Sequence, residues 1–102
     1  MILQSATLNV KPGMASEFES SFRKSQALLA GSRGYISHEL HKCVEQEGRY
    51  MLLVKWQSLG DHVAGFMGSP ARAAWESALQ GFYEDEPESD HYIRIRLDEP
   101  FP

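Results

Sequence analysis

The sequence predicts an α+β fold in which one antiparallel-rich sheet is covered on one side by helices. Three observations carry this expectation. Short stretches of alternating apolar and polar residues read as four strands, stretches with apolar residues at helical spacing read as helices, and these follow one another as β-α-β-β-α-β. The 102 residues leave room for one domain spanning 1–102, with a core over about 1–97 and a short C-terminal tail.

Residues 2–10, "ILQSATLNV", form the first strand, ended by the turn "KPG". From Met14 to about Ala30, Met14, Phe18, Phe22 and Leu29 recur on one helical face, and Gly31 and Gly34 stop the helix. "YISHELHKC" (35–43) and "RYMLLVKW" (49–56) are a second and a third strand joined by a hairpin turn at "EQEG". Ser58 is a candidate cap for a short helix over Gly60–Met67, with Asp61 three residues on. After the break at "GSP", Ser69 and Pro70 start another helix, whose apolar stripe is Ala71, Ala74, Trp75, Ala78, Leu79 and Phe82. "EDEPESD" reads as a solvated acidic loop, "HYIRIRL" (91–97) as the fourth strand and "DEPFP" as the tail. This order is that of a ferredoxin-like sandwich.

Strand side chains alternate between two faces. The more apolar set, expected to meet the helices, is Ile2, Ala6, Leu8, Val10, Ile36, Leu40, Tyr50, Leu52, Val54, Trp56, Ile93, Ile95 and Leu97, with Gln4, His38 and His91 as its polar members. The opposite face mixes Ser5, Thr7, Asn9, Glu39, His41, Lys55, Arg94 and Arg96 with Leu3, Tyr35, Met51, Leu53 and Tyr92. The helices can cover only one face, and the other is too apolar to lie in water, which points to a homodimer.

A net charge of −4, with basic residues scattered apart from "RIR", argues against nucleic acid and against anionic membranes as partners. No apolar run approaches the ~18 residues of a membrane span, and the N-terminus does not read as a signal peptide. A single cysteine, Cys43, suits a reducing cytoplasm. Glycine-rich phosphate loops, dinucleotide fingerprints and nucleophile elbows are missing from the sequence. In "HELH" the two histidines lie three apart on a strand and face opposite ways, so no metal site is expected there.

The stretch "LLVKWQSLGDHVAGF" brings Trp56, His62 and Phe66 around one strand-to-helix corner. Aromatic residues at such spacing ordinarily fill a core, and Trp56, Phe66, Trp75 and Phe82 are open to that reading. His62 lies one turn before Phe66 and shares its side of the helix. A symmetric hairpin would set His38 opposite Val54 and diagonal to Trp56. An imidazole on an apolar face needs a hydrogen-bond partner or a ligand, and Gln4, Tyr50 or water could serve His38.

The element order, "VKPG" after the first strand, "G-Y-x-x-H-E-L" (34–40), "LLVKW" with "S-L-x-D-H", and "F-x-G-S-P" together resemble the antibiotic-biosynthesis monooxygenase family over roughly residues 1–97. The resemblance implies a dimeric α+β barrel, two sheets packed face to face with helices outside, and a pocket between sheet and helices. It implies oxidation of a small aromatic phenol or quinol by molecular oxygen without a cofactor. In that scheme a base removes a phenolic proton and the anion reacts with oxygen. His62 or His38 is the candidate base, Gln4 a donor, and Trp56, Phe66, Trp75, Phe82 and His91 complete the substrate site. A haem-degrading branch uses an Asn on the first strand, a Trp ending the third strand and a His on the last helix, and the Trp is matched here by Trp56. The Asn position corresponds to Ala6 and the His position falls at or near Trp75, so without an axial histidine haem chemistry is not expected. The alternative function is a non-catalytic, dimeric small-molecule-binding protein of the same fold.

Overall fold

The computed structural model describes residues 1–98. The expected tail residues 99–102 lie outside the described residues. The elements are β1 (Ile2–Asn9), α1 (Ala15–Ala30), β2 (Tyr35–Lys42), β3 (Arg49–Trp56), a π-helical turn (Asp61–Phe66), α2 (Pro70–Leu79), a 3₁₀ turn (Gln80–Phe82) and β4 (Glu88–Tyr92). The sheet order is β2-β3-β1-β4, and every pair is antiparallel. This is the ferredoxin-like α+β arrangement.

Alternation puts Gln4, Ala6 and Leu8 of β1 and Val10 just after it, with Tyr50, Leu52, Val54 and Trp56 of β3, under the helices, and all eight are buried. Phe18, Phe22 and Leu29 of α1 and Leu79 of α2 close the core above them. Pro70 begins α2, and Ser69 caps it by accepting from the Arg72 amide, as the local sequence demands.

Two strand assignments are corrected. The fourth strand runs Glu88–Tyr92 rather than 91–97, because it pairs with β1 from Thr7↔Glu88 to Leu3↔Tyr92 and β1 begins at Ile2. Three residues of the acidic stretch therefore join the sheet, while Ile93, Ile95 and Leu97 run past the end of β1. They are 68%, 68% and 82% exposed rather than buried beneath helices. In β2 the register shifts between Tyr35 and Ser37. This bulge turns Tyr35 to the helix side, where it meets Trp56 edge-on, and leaves Ile36 exposed. Beyond the bulge, His38 faces Val54 as expected.

The short helix expected over Gly60–Met67 is a wide turn, in which the Met67 amide bonds to the His62 carbonyl, five residues back. Ser58 holds its start: its hydroxyl accepts from the Asp61 amide and donates to the Asp61 carboxylate. Gly34, at φ +81°, lies so close to Asp61 that a β-carbon there would collide with it, and the Gly34 carbonyl accepts from the Gln57 amide. The α1–β2 loop thus clamps the turn that carries His62.

Candidate functional site

A cavity of about 740 Å³ opens between the helix-facing side of the sheet and α2. That volume lies within the ~300–1,000 Å³ usual for small-molecule pockets. Its apolar wall comes from Ala6, Leu8 and Leu52 on the sheet, Phe66 and Met67 on the π-helical turn, and Trp75 and Leu79 on α2. Phe66 and Trp75 meet edge-on, with ring centroids 6.3 Å apart. The polar end is made by Gln4, Ser89, His91 and His62.

Three of those side chains are ordered by the strand pairing, and His62 comes from the π-helical turn. Gln4 faces His91 across β1 and β4, and Ser89 lies two residues along on the same face. The Gln4 carbonyl accepts from the Trp56 indole at 2.9 Å, and its amide donates to the Ser89 hydroxyl at 3.1 Å. His62 is 5% exposed and lies over Trp56, the ring centroids 5.3 Å apart and the planes 26° from parallel. His62 Nδ1 lies 2.8 Å from His91 Nε2. Among the described residues no sealed side-chain nitrogen or oxygen lacks a hydrogen-bond partner. Among the described residues nothing hydrogen-bonds His62 Nε2, so that nitrogen keeps some exposure on a residue that lines the cavity.

Burial, assisted by the neighbouring His91, pushes the His62 pKa down to about 4. The ring is therefore neutral at pH 7, with one nitrogen available as an acceptor. At the mouth, Glu76, Glu84, Asp85 and Glu86 outnumber Arg72, which pairs with Glu76 at 2.7 Å. The phenol of Tyr83 also lines the space, and burial pushes its pKa up to about 12, so it stays protonated.

Sequence reasoning singled out eight side chains, and the structure places five of them, Gln4, His62, Phe66, Trp75 and His91, on this cavity. Trp56 is fully buried beneath His62 and reaches the site only through His62 and Gln4. Phe82 packs against Phe18 in the core. His38 lines a separate cleft between α1 and β2 with Phe22 and Gln26. There its Nδ1 accepts from the Tyr35 hydroxyl and its Nε2–H donates to the Gln26 carbonyl at 2.7 Å. His38 and His62 therefore do not converge. Arg72, Glu76, Ser89 and Tyr83 went unread in the sequence. Ser89 was hidden by the strand shift, whereas Arg72 and Glu76 flank Trp75 at helical spacing and that spacing could have found them.

The model of the family described as "Antibiotic biosynthesis monooxygenase" matches residues 1–78. The chain belongs to the antibiotic biosynthesis monooxygenase family. The uncharacterised protein YczJ of Bacillus subtilis (strain 168) is 40% identical over 92 residues, which are 90% of this chain and 97% of that protein. A crystal structure from Bordetella bronchiseptica, named for the same antibiotic biosynthesis monooxygenases, is similar with a TM-score of 0.90 at 25% identity, covering 93% of this chain and 97% of that one. The structure of SnoaB, a cofactor-independent oxygenase from Streptomyces nogalater, has a TM-score of 0.80 at 21% identity over 96% of this chain and 97% of that one. That second likeness is one of fold.

Proposed function

We propose that this chain is a cofactor-independent monooxygenase that oxidises a small aromatic phenol or quinol with molecular oxygen in the 740 Å³ cavity. The observation that carries this reading is His62, a neutral imidazole lining an apolar, aromatic-walled space. In that role Nε2 takes the phenolic proton, and Phe66 and Trp75 flank the flat substrate. Gln4 and Ser89, already bonded to each other, shape the polar end. For a phenol whose ring bears a reactive methylene, the balance closes without any reductant. The carbon passes from CH₂ to C=O, giving up four electrons, and O₂ supplies one oxygen to the carbonyl and one to water. The apolar wall suits this step, since it excludes water from the electron-rich anion. The acidic mouth favours a neutral substrate over an anionic one. Haem is not the ligand in this reading: Ala6 and Trp75 line the cavity, and the resemblance puts the Asn of the haem-degrading branch at Ala6 and its His at or near Trp75.

The working form is proposed to be a cytoplasmic homodimer with outer sheet faces together. Leu3, Leu53, Met51 and Tyr92 lie on that face, and the last two are 44% and 51% exposed. The test is oxygen uptake with a panel of anthrone-like and quinol substrates in air. The expected result is one O₂ consumed per product, with turnover lowered about 10²–10⁴-fold in His62→Ala. Saturable binding of the same compounds without oxygen uptake would make this a binding protein instead.

A further inference from the structure

His62 alone is a poor place to leave a proton. Its ring is largely buried, so an imidazolium there is penalised by burial. Among the described residues the only side chain hydrogen-bonded to it is that of His91, an exposed residue on β4. The 2.8 Å spacing joins Nδ1 of His62 to Nε2 of His91. Each imidazole thus has one nitrogen in the shared bond and one outside it.

We propose that His91 relays to bulk water the proton that His62 takes from the substrate, so that the two rings form one proton wire between cavity and solvent. This rests on the monooxygenase reading. The movement balances at every atom. Before reaction, His62 Nδ1–H donates to His91 Nε2, and His62 Nε2 is bare. As Nε2 accepts the phenolic proton, Nδ1 passes its proton to His91 Nε2, and His91 Nδ1–H gives a proton to water. Both rings end neutral, with His91 Nε2–H now donating to His62 Nδ1. The return stroke runs the other way: His62 Nε2–H protonates the departing hydroxide as water is formed, and one proton re-enters through His91 Nδ1.

Among the described residues, none of the other titratable groups around the cavity is hydrogen-bonded to His62. The charged groups lining the cavity are Arg72, Glu76, Glu84, Asp85 and Glu86, and the first two are paired with each other. Asp61, next to His62 in sequence, is bonded to Ser58. Gln4, the cross-strand neighbour of His91, is an amide that spends its carbonyl on Trp56. His91 is therefore a positioning residue that acts through His62.

Two measurements test the relay. The first needs no turnover: ¹⁵N NMR of the intact protein should show coupling across the hydrogen bond between His62 Nδ1 and His91 Nε2, and its absence overturns the proposal. The second compares His91→Gln with the parent. Because His91 is exposed, the substitution leaves the core intact. At saturating phenol, kcat should fall at least ~10-fold and be partly restored by added imidazole. A kcat within twofold of the parent, or a loss confined to KM, overturns the relay. If the parent consumes no oxygen with any phenol, the monooxygenase reading fails, and the coupling measurement alone decides whether the two rings share a proton.

Discussion

His62 and His38 are both imidazoles on the helix-facing side of the sheet, yet their nitrogens are committed differently. His38 spends both on the chain, on Tyr35 and Gln26, whereas His62 spends one on His91 and keeps one. Burial holds both pKa values below the ordinary 6.5, that of His62 at about 4. The unfolded chain therefore binds protons below about pH 6.5 that the folded chain refuses, and stability falls as the pH drops from 6.5 toward 4. Above that window the contribution is present in full. The melting temperature should decline steadily across it, and His62→Gln should flatten the slope; an equal slope in parent and variant would contradict the assignment. His38→Ala, in contrast, should reduce stability without the kinetic loss expected of His62→Ala.

At the scale of elements, the placement of His62 depends on a contact between two loops. Gly34 and Gly13 both have positive φ, +81° and +78°, but a β-carbon at Gly13 meets nothing within 4 Å, whereas one at Gly34 strikes Asp61. Gly13→Ala should cost only the backbone term, ~1 kcal/mol. Gly34→Ala should cost more in thermal denaturation and should also reduce turnover, because displacing Asp61 shifts the π-helical turn beneath His62. Equal losses in the two variants would remove the clamp from the account. The segment after β4 bears on assembly. Ile93, Ile95 and Leu97 alternate with Arg94 and Arg96 as a strand does, but β1 offers them no partner past Leu3↔Tyr92.

For the whole molecule, the proposed dimer would cover two features together: the apolar outer face of the sheet and this extended segment. Obligate dimer interfaces bury above ~2,000 Å² in total. Light scattering during gel filtration should return twice the chain mass at micromolar concentration, and a folded monomer there would remove the dimer. Much of this architecture was legible in the sequence. The alternation in "ILQSATLNV" and "RYMLLVKW" names the buried face, and "SP" at 69–70 marks the start of α2. What misled was equally local. "HYIRIRL" has strand periodicity, but periodicity cannot say where the neighbouring strand ends. The bulge after Tyr35 reverses two side chains, with no proline or glycine inside the strand to announce it. The pairing of His62 with His91, 29 residues apart, follows from the corrected register of β4 and from the wide turn, neither of which periodicity reveals.

The polar end of the cavity is not all equally firm. Gln4 belongs to β1, which is hydrogen-bonded on both sides, whereas Ser89 and His91 belong to an edge strand of five residues exposed at every position. Local unfolding is cheapest where little burial holds a strand. In amide exchange, β4 should open before β1 and β3. Opening β4 uncouples His91 from His62 and widens the cavity on the same side, without disturbing Trp56 beneath. Under the proposed relay, opening of this strand would therefore also disconnect His62 from its exit through His91 until the strand re-pairs.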